Sequence, residues 1–242
     1  MTIENQAQYD NELSHTAAEW QRMRNCYGYK EIQAASQAAL SNLKAVAPQY
    51  GEPADYFKAV RSQQHIGMFD PPVALFYKPG EQHGEVYRML SGWFMLPKET
   101  EGYEYMGRRW KSLEHAYQAS KFMVTDETIA EKIRKAHIPK VAKMTSGKYP
   151  ELIRPDWNDM KEIAMLGATL AIADQFDPIR ELLELTGQAV LIEDSMQDAT
   201  WGRGVDFEGG SGLGRTWMMT REIMRMGCQK EVQQHIEPLI LS

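Results

Sequence analysis

Two polar segments, far apart in a chain of 242 residues, carry side chains whose types and spacing suit chemistry better than packing: Gly107 to Phe122 and Glu193 to Gly204. In the first, Ser112 follows a strand-like stretch, Tyr103 to Trp110, and can cap a helix carried by Glu114 to Phe122. Positions 114, 118 and 121 then share one helical face. Glu114, Gln118 and Lys121 form a polar stripe there, with Leu113, Tyr117 and Phe122 packing on other sides. A carboxylate, an amide and an ammonium in a row can grip a polyhydroxylated or phosphorylated ligand. The plainer reading is that Glu114 complements the helix dipole and Lys121 is its solvated partner. His115 adjoins Glu114, but neighbours on a helix point about 100° apart. The expectation is a structural histidine beneath the site, not half of a dyad.

In the second segment, Val190, Leu191 and Ile192 read as a buried strand, after which the chain turns abruptly polar and glycine-rich. Catalytic groups often occupy loops just beyond a strand. Asp198 stands three residues before Trp201; Gly202, Gly204, Gly209, Gly210, Gly212 and Gly214 follow, leading into a helical pattern of Leu213, Trp217, Met218, Ile223 and Met224. Glycines approaching a helix N-terminus let backbone amides reach a phosphate; a flexible connector is the alternative. Arg221, one turn beyond Trp217, suits either a phosphate contact or a buried ion pair across the glycine loop.

The elements that must position these groups can be read from periodicity. Residues 11–47 read as helical with a break at Gly28, residues 48–53 as a linker, residues 54–65 as a short helix, and Gly67 to Pro72 as a turn before a strand, Val73 to Tyr77. Thr125 to Ala136 should form a helix and Pro139 to Pro155 an irregular cationic loop. Asp156 can cap a long helix from Trp157 to Phe176, with Ile163, Leu166, Leu170 and Ala173 as its core stripe. Pro178 opens the next helix and Gly187 closes it, before a strand at Ala189. Gln229 to Pro238 reads as a peripheral helix or tail. The mixed order predicts a helix-rich α+β fold with a small sheet: a helical N-terminal extension (1–70), a principal domain (71–228) and a C-terminal helix or tail (229–242).

Composition bounds the function classes. With 43% hydrophobic residues the chain can bury a sizeable core, and no apolar run approaches membrane-spanning length. The polar start lacks a secretory pattern, and the two cysteines, Cys26 and Cys228, have no metal spacing, so a reduced cytoplasmic setting is the default. A net charge of −6 argues against broad adhesion to nucleic acid and favours a nucleotide-sized ligand. Locally, Arg108, Arg109, Lys111 and Lys121, then Lys132, Arg134, Lys135, Lys140, Lys143 and Lys148, can line a phosphate route or form a solvated face.

The two segments, together with Leu75–Tyr77, Leu90–Ser91, Ala142–Lys143, Arg154–Trp157, Leu182–Gly187, Leu191–Glu193 and Leu213–Gly214 in order, resemble the NADAR, or YbiA-like, family over about residues 73 to 225. The chain departs from the family pattern at Gly92 and Trp93 (usually Asn and Phe), Gln175 (usually Lys), Phe207 (usually Gly) and Ser211 (usually Asn). An aromatic ring at 207 would add a stacking surface or close part of the pocket.

The resemblance implies cleavage of an N-glycosidic bond, in ADP-ribose attached to guanine or in phosphorylated ribosylamino pyrimidines of riboflavin synthesis. Either reaction builds oxocarbenium character at ribose C1. It calls for an anion beside C1, a positioned water and help for the departing nitrogen, which two carboxylates without a metal or cofactor would supply. On this reading Glu114 is the ionised group and Asp198 the acid or sugar-orienting group, the roles reversing if Glu114 is deeply desolvated. Trp201 stacks on the base or shields the site. Gln118 contacts ligand, and Lys121 and the amides of Gly202 and Gly204 bind phosphate. Trp110 and Trp157 are base platforms or core, and Arg221 a phosphate ligand or an ion pair. The expected partners are the small substrate or ADP-ribosylated nucleic acid, no membrane, and a second copy of the chain through the N-terminal helices. The competing readings are a non-catalytic sensor of ADP-ribose or a related nucleotide, and an interaction domain.

Overall fold

Ile163 to Ala173 are buried at every position of the helix Trp157–Gln175 (α5), so the element at the centre of the fold is apolar round its circumference and not along one stripe. The computed structural model that shows this describes residues 25–26, 28–46, 72–77 and 87–242. The helix expected over 11–24, the linker and short helix over 48–65 and the turn before Val73 lie outside the described residues.

In chain order the elements are α1 (Tyr29–Val46), β1 (Val73–Phe76), β2 (Tyr103–Tyr105), β3 (Arg108–Trp110), α2 (Leu113–Ser120), α3 (Glu127–Arg134), α4 (Pro139–Ser146), α5, α6 (Asp177–Leu185), β4 (Val190–Glu193), α7 (Gly212–Arg225) and α8 (Gln229–Leu241). This is the helix-rich α+β arrangement, and among the described residues the strands form two separate two-stranded sheets. β1 and β4 run parallel, Val73 opposite Val190 and Phe76 opposite Glu193. β2 and β3 form a hairpin whose two central turn residues, Met106 and Gly107, both have positive φ, the conformation that matches strand twist in a two-residue turn.

α5 is covered by α7, α8, α2, α6 and the β2–β3 hairpin. Small residues permit the closest approaches. A Cβ on Gly167 would overlap the Tyr105 hydroxyl, and one on Gly214 of α7 would overlap the Leu191 carbonyl of β4. α1 begins after Gly28, whose φ of 69° marks the expected break, and packs on α7 and β4 through Tyr29, Ala39, Leu40 and Leu43.

Two local expectations are corrected. The segment after Pro139 is not an irregular loop. Proline occupies the first turn of α4, where its missing N–H costs nothing, and Ala142, Thr145 and Ser146 give that helix a buried face. Asp156 sits at the N-cap position of α5 but makes no side-chain cap bond; Arg154 grips its carboxylate through two bonds of 2.6 and 2.8 Å. The same guanidinium donates to the Ile240 carbonyl at 2.6 Å, satisfying the C-terminal end of α8. Of the helix or tail expected for the C-terminal segment the structure has the helix, with Val232, Ile236 and Ile240 buried against α5.

Candidate active site

The parallel pair β1–β4 delivers two chain segments to one place. Tyr77 lies just past β1, and Glu193 ends β4, where ligands commonly gather beyond the carboxyl ends of parallel strands. A small cleft of about 120 Å³, open to solvent, lies there. α2 contributes Glu114, Tyr117 and Gln118, α4 Lys143, α5 Met165 and α7 Leu213. The segment after β4 adds Ser195, Gln197, Asp198 and Trp201, and Gly92 and Trp93 complete the wall.

α2 starts as expected: Ser112 accepts from the His115 amide at 3.5 Å, and all eight helix residues are buried. Its polar stripe faces the cleft. Gln118 donates to Glu114 Oε1 at 3.0 Å, while its own Oε1 is buried without a hydrogen-bond partner. The Glu114 amide donates to the Gly92 carbonyl at 2.9 Å, and a Cβ on residue 92 would stand 3.6 Å from Glu114 Oε2. Burial raises the Glu114 carboxyl above its ordinary value; Lys143, the Gln118 hydrogen bond and Lys121 pull it back down, and Asp198 pushes it up. Lys121 is lowered by its own burial, with Glu114 opposing that change and Lys143 adding to it. The mutual influence of these groups sets a buried carboxylate beside two ammonium groups.

Asp198 spends one carboxylate oxygen on its own loop: Oδ1 accepts from the amides of Thr200 at 2.9 Å and Trp201 at 2.8 Å. That turn fixes Trp201, whose indole N–H donates to the Tyr117 hydroxyl at 3.2 Å and whose ring meets Tyr117 edge-on at 5.2 Å. Tyr117 in turn packs on Trp157 at 5.1 Å, and the Lys121 ammonium lies 5.4 and 5.6 Å from these two rings. Burial raises the Tyr117 phenol, so it stays protonated.

The structure thus places Glu114, Gln118, Asp198 and Trp201 on the cleft, with Lys121 and Trp157 behind Tyr117 at its edge. Four other sequence-derived site residues fall elsewhere or serve otherwise. Trp110 is fully buried, its indole donating to the Tyr105 carbonyl at 2.7 Å; it is core, not a base platform. Arg221 is buried and donates to Thr186 Oγ1 at 2.8 Å and the Ala189 carbonyl at 3.0 Å, tying α7 to the α6–β4 turn and not bridging the glycine loop. The amides of Gly202 and Gly204 are committed to Asp198 and Ser195 carbonyls at 3.1 and 3.0 Å, so they do not cradle a phosphate. Gly202 is required for close packing, since a Cβ there would lie 2.5 Å from Ser195 Cβ.

Phe207 adopts φ of 62°, and its ring lies under the Arg203 guanidinium at 4.2 Å, inside the loop and off the cleft wall. Arg203 pairs with Asp194 at 2.5 Å in full burial, anchoring the loop to the end of β4. Gln175 exchanges two 2.7 Å bonds with the Glu104 backbone and is structural. His115 is structural as expected, with Nδ1 2.8 Å from Ser112 Oγ and Nε2 3.0 Å from the Ala136 carbonyl; burial pushes its pKa down to about 4.

Tyr117 and Glu193 line the cleft without having been assigned a site role, and so does Lys143, named only within a cationic run that could line a phosphate route. Tyr117, expected on another side of the helix, shares the cleft wall with Glu114; an i, i+3 spacing makes the two neighbours on the helix surface. Lys143 was hidden within a charge run because the helix that aims it was not foreseen.

The NADAR domain model matches residues 75–225, well over half of the chain, and the chain belongs to that family. It is 31% identical over 163 residues to N-glycosidase YbiA of Escherichia coli strain K12, covering 67% of this chain and 95% of that protein. It is 34% identical over 162 residues to riboflavin biosynthesis protein VVA0006 of Vibrio vulnificus strain YJ016, covering 67% of this chain and 41% of that protein. The solved NMR structure of Escherichia coli YbiA superposes with a TM-score of 0.57 at 29% identity, covering 69% of this chain and 94% of that one. α1 precedes the matched region. Among the described residues no helix is long and apolar enough to cross a membrane.

Proposed function

We propose that the cleft hydrolyses the bond between a ribose anomeric carbon and an amino nitrogen. The observation that carries this reading is Glu114: a buried carboxylate on the cleft wall, oriented by Gln118 and held near two ammonium groups, with a second carboxylate, Asp198, on the facing loop. As the C1–N bond lengthens, positive charge develops on the sugar, and a fixed, buried carboxylate stabilises it. Burial makes Glu114 a stronger base than an exposed carboxylate, while Lys143, Gln118 and Lys121 favour its ionised form. Although burial, the largest influence on Glu114, raises its carboxyl and so meets the condition for reversed roles, we keep it as the base: Lys143, the Gln118 bond and Lys121 favour its anion, which takes a proton from the attacking water. The water oxygen adds to C1 as the C1–N bond breaks, and the proton held by Glu114 passes to the departing nitrogen, which returns Glu114 to its ionised form. Asp198 orients the sugar with the oxygen its loop leaves free, and Trp201, braced by Tyr117, covers the base. No step is assigned to a metal.

The substrate we assign is a ribosyl N-glycoside carrying phosphate, either ADP-ribosylated guanine or a ribosylamino pyrimidine phosphate. Lys143 on the cleft wall and Lys121 at its edge support the phosphate, and the names of the relatives, N-glycosidase and riboflavin biosynthesis protein, support the bond type. A cytoplasmic setting and a metal-independent reaction belong to the same proposal. The test is base release followed by mass spectrometry from both substrate types, wild type beside Glu114→Gln. Release abolished in the variant is expected; tight ADP-ribose binding with no release from either substrate would replace the enzyme with a sensor.

A further inference from the structure

α1 lies outside the family region yet is linked to the loop that carries Asp198 and Trp201 at two points, once through α5 and α7 and once directly. At its N-terminal end the Tyr29 hydroxyl donates to Glu162 of α5, 3.2 Å from Oε2. Glu162 accepts from Arg215 Nη2 at 3.0 Å, and the Arg215 guanidinium stands 5.8 Å from the centre of the Tyr29 ring. The other terminal nitrogen of Arg215 donates to the Gly210 carbonyl. Gly210 in turn donates its amide to the Ala199 carbonyl at 2.6 Å, and Gly212 its amide to the Thr200 carbonyl at 3.0 Å. Ala199 and Thr200 are the residues between Asp198 and Trp201. At its other end, Lys44 of α1 pairs with Glu208 of the same loop at 2.5 Å.

We propose that α1 is a strut for this loop, with Tyr29 and Arg215 as positioning residues that act on the cleft through Gly210 and Ala199. The physical reason is economy of restraint. A glycine-rich loop has large conformational freedom to lose, and its hydrogen bonds run mostly within itself. The half-buried Arg215–Glu162 pair ties one side of the loop to the rigid core helix, and the Tyr29 ring and hydroxyl fix the geometry of that pair. Lys44 and Glu208 are exposed, so their bond contributes less than the Tyr29 relay. A domain trimmed to the family region would carry the same catalytic side chains on a looser loop. The inference rests on the reading of Asp198 and Trp201 as site residues.

The experiment compares the full chain with Tyr29→Leu, which removes ring and hydroxyl, and Tyr29→Phe, which keeps the ring. Two readouts are taken: amide hydrogen exchange resolved by segment, and steady-state hydrolysis of the phosphorylated N-ribosides. Loss of one modest interaction should speed exchange of the 199–212 amides about fivefold in Tyr29→Leu. The amides of α2 and α5 should keep wild-type rates, and Tyr29→Phe should fall between. kcat should fall by a similar factor with KM changing little, because Asp198 and Trp201 are present but misplaced. Exchange that is unchanged in the loop, or that rises uniformly across the fold, overturns the strut. A loosened loop with unchanged kcat overturns the positioning role. Exchange is read whether or not the protein turns over, so a failed hydrolysis assay leaves the structural half of the test standing.

Discussion

Replacing Glu114 by glutamine separates charge from shape. The amide oxygen can still accept the 3.0 Å bond from Gln118, and the backbone bond to Gly92 is untouched, so the cleft keeps its form while its buried negative charge disappears. A carboxylate about 4 Å from a unit sugar cation is worth roughly 4 kcal/mol at an effective dielectric of about 20. The two nearby lysines offset part of it, which leaves on the order of 10²-fold to 10³-fold in kcat. Stability should move the other way. The Glu114 carboxyl is raised by burial, so its favourable contribution is complete below the ordinary carboxyl value of 4.5 and is lost as pH rises through the higher folded value. At pH 8 the wild type therefore carries a strained charge that Glu114→Gln lacks, and the variant should melt at an equal or higher temperature. The difference should close as pH falls towards 4.5. Paired thermal melts and single-turnover base release test both halves. A variant that keeps full turnover, or one that loses turnover together with several degrees of melting temperature at pH 8, would refute the reasoning.

Lys143→Met removes the largest influence lowering the Glu114 carboxyl, so the acid limb of kcat/KM should move to higher pH; a limb that stays put would show that another group governs it. Tyr117→Phe removes the acceptor of the Trp201 indole N–H while keeping the ring stack. It should weaken stability by about 0.5–1.5 kcal/mol in urea unfolding and alter Trp201 emission, and identical emission would contradict the brace. His115 should remain neutral at pH 5.5 by nitrogen NMR. With its pKa lowered from 6.5 to about 4, stability is present above 6.5 and is lost as pH falls through that window, by on the order of 3 kcal/mol in all. Titration near 6.5 would show that the burial of the ring, which is what lowers its pKa, is not kept in solution.

What was legible in the sequence was chiefly local. Ser112 capping α2, the face shared by Glu114 and Gln118, and the strand that ends in a polar loop at Asp198 all depend on spacing within a few residues. The failures share a different cause, in that each concerned where a polar group finds its partner across the fold. Asp156 suits a cap by type and position, but Arg154 is two residues away and also needed to reach α8. Arg221 is drawn to the carbonyl of Ala189 and the hydroxyl of Thr186, partners no periodicity reveals. The glycine amides were read as free donors because the loop's internal pairing, Gly202 to Asp198 and Gly204 to Ser195, exists only once the turn has closed. Lys143 became a cleft residue only because a proline begins α4 where one was expected to break the chain.

The central claim is the fate of the C1–N bond, and isotope labelling reads it directly. The protein would be incubated in water enriched in oxygen-18 with ADP-ribosylated guanosine and with ribosylamino pyrimidine phosphate, and both products weighed by mass spectrometry. The account predicts one heavy oxygen in the sugar product and none in the released base, lost in Glu114→Gln. Heavy oxygen in the base, or no cleavage of either compound by the folded wild type, would contradict it.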